Sequence, residues 1–174
     1  AETSTANRVA IVTFQNEGES TTQCDLTELT ESGLNTVLSA IQNSYGVCFT
    51  ATFPSDGVEN AVEIYNSDTN TENDNYTILF TDGDCDDTDT SELKTAAAEL
   101  QKLSTIYVAA VSVSSDTASL YKQSVATSED YFTGLTDVTK LAGVFSTIGK
   151  EVSYTNNSDG GNIVDYIESR FVVT

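Results

Sequence analysis

The chain predicts an α/β domain, a doubly wound and mostly parallel sheet flanked by helices, and three observations lead there. Arg8–Phe14, residues 76–81 and Thr105–Val111 are nearly unbroken apolar and β-branched runs, as strands covered on both faces require. Between them lie segments with apolar residues at helical spacing, the alternation that builds a parallel sheet. Finally, the run from Tyr76 through Thr81-Asp82-Gly83 delivers an Asp to the carboxyl end of a strand, where open α/β sheets place their ligands.

Taken in order, the Arg8–Phe14 strand leads into a polar, hairpin-like stretch at 15–23 that turns at Gly18. Residues 25–30 form a short edge strand before a helix at 31–42, which would turn Leu34, Val37, Leu38 and Ile41 toward the sheet. A loop at 43–54 precedes a second helix at 55–65, with Ser55 as its N-cap and Val58, Ala61, Val62 and Tyr65 inward. Residues 66–75 are acidic and amide-rich, the composition of a surface loop. After the strand at 76–81 and an acidic turn comes a helix at 91–103 with Leu93, Ala96, Ala97 and Leu100 on one face. The Thr105–Val111 strand is followed by a short helix at 119–128 and a short strand at 130–132. A last helix at 138–152 points Leu141, Val144, Phe145 and Ile148 inward. Residues 1–153 thus form the domain and 154–161 a linker by composition, while 162–174 is a strand-like tail, either an edge strand or the start of a next domain.

Composition narrows the function. A chain of 174 residues makes one domain, or one domain with a tail. Its formal net charge of −20 opposes binding to nucleic acid or anionic lipid. The longest apolar runs are strand-sized, so no membrane span is expected. Met is absent, which suggests a processed or excised segment. The chain has no His, which rules out Ser-His-Asp and Cys-His catalysis within it, and no phosphate-cradling Gly-rich loop follows the first strand; the expectation is that it is not an enzyme. Three cysteines, Cys24, Cys48 and Cys85, cannot all pair with one another and lack metal-ligand spacing. With the glycosylation patterns at Asn75 and Asn156 they point to an extracellular or cell-surface setting, although three buried thiols and chance sequons read the same way.

Over roughly residues 8–152 these strands, helices and the Thr81-Asp82-Gly83 turn resemble a von Willebrand factor A (VWA) domain. The resemblance implies a divalent cation, Mg²⁺ or else Mn²⁺ or Ca²⁺, held at the carboxyl end of the sheet in a metal-ion-dependent adhesion site. Three loops build that site in the family: an Asp-x-Ser-x-Ser loop, a second loop with a Thr and a third with an Asp. The resemblance assigns the Asp to Asp82 and the Thr to Thr52, because Gly57 follows Thr52 by five residues and opens a helix; Thr50 is the alternative. Read without the family, Asp82 could be a plain turn residue, and Asp84, Asp86, Asp87 and Asp89 a solvated acidic rim.

No Asp-x-Ser-x-Ser occurs in the chain, and seven residues precede Arg8. The family's central first strand and first helix are therefore expected to be missing. A sheet lacking that strand would be unstable or self-associating unless another segment completed it. The stretch 162–171 resembles the segment that follows the VWA domain in surface proteins and pilus-tip adhesins of Gram-positive bacteria. Together the resemblances imply an extracellular adhesion or protein-binding module. Its partners would be a protein or glycan ligand and other segments or subunits of the same assembly. The alternative is a structural subunit of a surface fibre or pilus with a metal-free site. If Thr52 and Asp82 face one ion, the loops with Cys48 and Cys85 lie side by side, which implies a Cys48–Cys85 disulfide and leaves Cys24 the odd thiol.

Overall fold

The computed structural model describes residues 7–44, 51–70, 74–87, 89–155 and 162–166. Its strands are β1 (Arg8–Phe14), β2 (Ser20–Glu28), β3 (Asn75–Thr81), β4 (Thr105–Val111), β5 (Phe132–Leu135) and β6 (Asn162–Tyr166). The helices are α1 (Glu31–Asn43), α2 (Pro54–Ser67), α3 (Thr90–Leu100), α4 (Ser115–Leu120) and α5 (Leu141–Thr155). All six strands form one sheet in the order β2-β1-β6-β3-β4-β5. Only β2 runs antiparallel, at one edge, and Gly18 makes its turn from β1 with φ of 74°.

Parallel strands need cover on both faces, and the alternation of side chains supplies two apolar surfaces. Ala10, Val12 and Phe14 of β1, Leu79 of β3, and Ile106, Val108 and Ala110 of β4 form one surface. Val58, Ala61 and Tyr65 of α2 and Leu93, Ala97 and Leu100 of α3 pack on it. On the other face, Val9 and Ile11 meet Val37 of α1, while Phe80, Ala109 and Val111 meet Leu141 of α5. Tyr76, Ile78 and Tyr107 meet Ile148 of α5, with Val144 and Phe145 partly buried beside them. The sheet is thus doubly wound, as the strand and helix alternation requires.

The centre of the sheet corrects one expectation. The tail does not add an edge strand: β6 lies between β1 and β3, parallel to both, with Arg8, Asn162 and Asn75 level at one end and Val12, Tyr166 and Leu79 at the other. The central position expected to be missing from this chain is therefore filled by its own residues 162–166. The physical reason is that the facing edges of β1 and β3 are rows of buried backbone groups that must be paired. A short β-prone segment reaching them from the end of α5 satisfies both rows at once.

Smaller differences also have physical causes. α1 lays Gly33, Val37 and Ala40 on the sheet, leaving Leu34 and Leu38 each 47% exposed. A Cβ at Gly33 would fall 1.8 Å from the Glu28 carbonyl oxygen, so the close approach to β2 sets the helix rotation, and the larger leucines turn outward. α2 starts at Pro54 and is preceded by Phe53, since proline's fixed φ and missing N–H suit a first helical position; Ser55 is inside the first turn and is not the cap. The helix expected at 119–128 begins earlier, at Ser115 behind the Ser114 cap, and ends in a π turn, Tyr121–Val125. Gln101 Nε2 reaches the carbonyl of Val125 at 3.1 Å there.

At the amino end of the strands, Arg8 and Asp68 form a two-pronged ion pair, Nη1 to Oδ1 at 3.1 Å and Nη2 to Oδ2. This pins the start of β1 to the end of α2 and leaves the opposite, carboxyl end of the sheet to the loops of the candidate site.

Candidate functional site

Two loops meet at the carboxyl ends of β1 and β3. The segment before α2 carries Thr52, which is 2% exposed, and the turn after β3 carries Asp82 and Gly83. A Cβ built on Gly83 would lie 2.2 Å from the Thr52 hydroxyl oxygen, so the two loops are in direct contact and only glycine fits between them. The Asp82 carboxyl oxygen Oδ1 is shut off from solvent. The structure therefore brings together the two residues that the sequence singles out, Thr52 and Asp82. Thr50 and Cys48 lie outside the described residues.

The contact is locked by a two-way pairing of Thr52 with Asp86. The Thr52 amide donates to Asp86 Oδ2 at 2.7 Å, and the Asp86 amide donates back to the Thr52 carbonyl at 2.8 Å. Phe53 donates its amide to the Gln15 carbonyl at 2.9 Å, tying the same segment to the end of β1. On the other side, the Ser114 amide donates to Asp84 Oδ1 at 2.5 Å, and this bond holds the Asp84 carboxyl below the usual carboxylate range. Ser112 makes that reach possible: it leaves β4 with φ of 57°, a conformation that a non-glycine residue adopts at a cost of about 1 kcal/mol.

The acidic residues of the turn are thus only partly the solvated rim that their sequence suggests. Asp84, Asp86 and Asp89 are exposed, but Asp87 is buried, and it accepts from the Ser55 hydroxyl at 2.5 Å and from the Cys85 thiol at 3.3 Å. Burial pushes the Asp87 carboxyl above its ordinary range despite those donors. Nothing in the sequence marked Asp87 or Ser55 for these roles, because the pairing spans α2 and the β3 turn and follows no local spacing. Asp89 has a different task, capping α3 by accepting the Ser91 amide at 2.8 Å.

Cys85 is a free thiol, and so is Cys24. Burial first, and the neighbouring Asp87 carboxylate after it, push the Cys85 thiol up to about 12. At pH 8 its thiolate fraction should be about a thousandfold below that of an ordinary thiol. Alkylation followed by mass mapping of the folded chain should therefore show slow labelling at Cys85, with the site recovered on denaturation without reductant. Labelling that instead requires reduction would show the bridge to Cys48.

Among the described residues, no three Cys, Asp or Glu side chains come together as a metal-holding group. A hard cation, however, takes hydroxyl and carboxylate oxygens singly and keeps waters, and Thr52 and Asp82 are donors of that kind. Asp84, Asp86 and Asp87 are committed to hydrogen bonds within the loops, so they brace the site and add negative potential around it.

This arrangement of strand order, helices and loops has a counterpart among known families. The family model of the von Willebrand factor type A domain matches residues 2–147. The chain belongs to that family. VWA domains serve generally in protein–protein interaction and adhesion, and in this VWA domain the matched stretch includes both Thr52 and Asp82. The match stops short of β6, so the strand at the centre of this VWA sheet lies outside the matched region. No curated protein matches the chain. No described helix is long and apolar enough to cross a membrane.

Proposed function

We propose that this VWA domain is an extracellular or cell-surface adhesion module whose ligand, a protein or a glycan bearing an acidic group, is recognised through a divalent cation at Thr52 and Asp82. The observation that carries this reading is the contact of the Thr52 hydroxyl with Gly83, which sets Thr52 beside Asp82 at the carboxyl end of the sheet. Mg²⁺, Mn²⁺ or Ca²⁺ bound there would supply a Lewis-acidic position for a carboxylate of the ligand. The chain's own part is to hold two oxygens in place: the two hydrogen bonds between Thr52 and Asp86 fix one loop, and the Gly83 contact fixes the other. In this reading the module holds its ligand and does not transform it.

One hydroxyl and one carboxylate are a thin ligand set. Calorimetry with MgCl₂ and MnCl₂ should therefore give weak binding by this chain, abolished by Asp82→Ala. Tight stoichiometric binding that survives Asp82→Ala would refute the assignment. A second reading is a structural subunit of a surface fibre with a metal-free site. It is favoured by the commitment of Asp84, Asp86 and Asp87 to internal hydrogen bonds, and metal-independent binding to partner segments would support it.

A further inference from the structure

The large apolar side chains that stand exposed among the described residues, Leu29, Leu34 and Leu38, all belong to one stretch of chain, α1 and the residue before its cap. Leu29 is 40% exposed and the other two 47% each. Thr30 is the N-cap, so Leu29 and Leu34 occupy the two positions of a hydrophobic staple. Leu38 and Ile41 follow Leu34 by four and seven residues, the spacing of a single helix face. Ile41 is partly buried and packs against Val9, Ile11 and Val37, so the stripe starts at the sheet and runs out onto the surface of the helix. Single exposed leucines are ordinary, whereas a continuous stripe that the fold itself leaves uncovered marks a contact surface.

The polar side of α1 is equally unusual. Glu31 is the one charged residue among its 13, against three of 14 in α2 and three of 11 in α3. Asn35, Thr36, Ser39 and Asn43 fill much of the remaining exposed surface. In a chain of net charge −20, a fully solvated helix would carry more of that charge, and depletion of charge around an apolar centre is the composition of an interface. The charge that is near lies at one end, where the exposed Glu28 and Glu31 stand on either side of Leu29 in the chain.

We infer that the leucine stripe of α1 is a docking surface for an amphipathic helix of a partner protein, one that carries lysine or arginine beside its own apolar stripe. Docking of one helix on another is read by side chains at i, i+4 and i+7, which is the spacing the stripe presents. Charge decides the partner. A second copy would bring a further net charge of −20 and a second Glu28 and Glu31, whereas a basic helix is drawn in by the field of the whole chain. Thirteen residues of helix span about 20 Å, a face smaller than the standard protein interface, so the complex is weak and exchanges readily. α1 covers the face of the sheet opposite α2 and α3, and the inference does not depend on the cation reading.

The experiment uses the full chain and three labelled peptides of about 18 residues: a helix with a leucine stripe flanked by lysines, a scrambled peptide of the same composition, and the striped helix with glutamates in place of the lysines. Fluorescence anisotropy at physiological salt should show saturable binding of the lysine helix, with the other two at least about tenfold weaker. Hydrogen exchange should place the added protection in α1. In the full chain, Leu34→Gln with Leu38→Gln should weaken the lysine helix by about tenfold or more while leaving the melting temperature within about 2 °C, since both side chains are exposed. No saturable binding up to about 1 mM overturns the proposal, and so does binding that the double variant leaves unchanged. Equal binding of the scrambled peptide would show attraction by charge alone and overturns the role of the stripe. Equal binding of the glutamate helix overturns the choice of a basic partner. Concentration-dependent dimers in sedimentation, dispersed by the double variant, would overturn it in favour of a second copy.

Discussion

Val164→Pro is expected to cost the domain about 3 kcal/mol or more and to abolish a single cooperative melt at moderate denaturant. Val164 is the middle residue of β6, level with Ala10 of β1 and Thr77 of β3. In a strand paired on both sides, every amide donates to one neighbour or the other, so a proline removes a bond from the middle of the sheet and no solvent replaces it. In an edge strand or a separate following segment, the same substitution would cost little. Denaturant unfolding followed by circular dichroism distinguishes the two. A loss below about 1 kcal/mol would mean that residues 162–166 do not hold the centre of the sheet.

The central strand was also the part of the fold that the sequence concealed. Periodicity identified β1, β3 and β4, whose limits match or differ by one residue from the apolar runs, because strands buried on both faces have to be apolar throughout. It could not place residues 162–166, since a five-residue strand carries no information about which row of unpaired backbone it will meet. With seven residues before Arg8 and no Asp-x-Ser-x-Ser, the resemblance leaves the central strand without a segment upstream, whereas the strand that fills the position follows the last helix. The edge strand β2 was only half legible for a related reason: nine residues with one face on solvent and irregular register against β1 alternate weakly.

The site divides in the same way. Thr52 and Asp82 were visible because each sits at a fixed distance from a glycine, Gly57 and Gly83, and both glycines are forced by contacts that no larger residue tolerates. The inner hydrogen bonds from Ser55 to Asp87 and from Ser114 to Asp84 join residues 32 and 30 apart in sequence. Only Cys85 and Asp87 are near each other in the chain, and an acidic cluster in sequence does not disclose which carboxylates turn inward. Leu34 and Leu38 were misplaced because helical spacing ranks residues by hydrophobicity, whereas the rotation of α1 is set by the small Gly33 and Ala40 against the sheet.

Gly57 lies against the ring of Phe14. A Cβ there would fall 2.7 Å from Cδ1 and 3.0 Å from Cγ of Phe14, so the first turn of α2 rests directly on that ring. Phe14 is 1% exposed at the end of β1, and it joins the strand to the helix whose preceding segment carries Thr52. Phe14→Ala should cost about 3–5 kcal/mol, the usual range for removing a buried ring and leaving part of its volume empty. Gly57→Ala alone should also destabilise, by about 1–3 kcal/mol, because the ring has no room for the added methyl group. In the Phe14→Ala background the ring atoms are gone and only the residue 14 Cβ remains near, at 3.2 Å. There the same Gly57→Ala change should be neutral or favourable, since alanine is the better helix former by about 1 kcal/mol and the methyl group enters the cavity. Four denaturation curves measure this cycle. A Gly57→Ala cost that is the same in both backgrounds would show that Phe14 does not support α2, and that the Thr52 segment is held in place by something other than this contact.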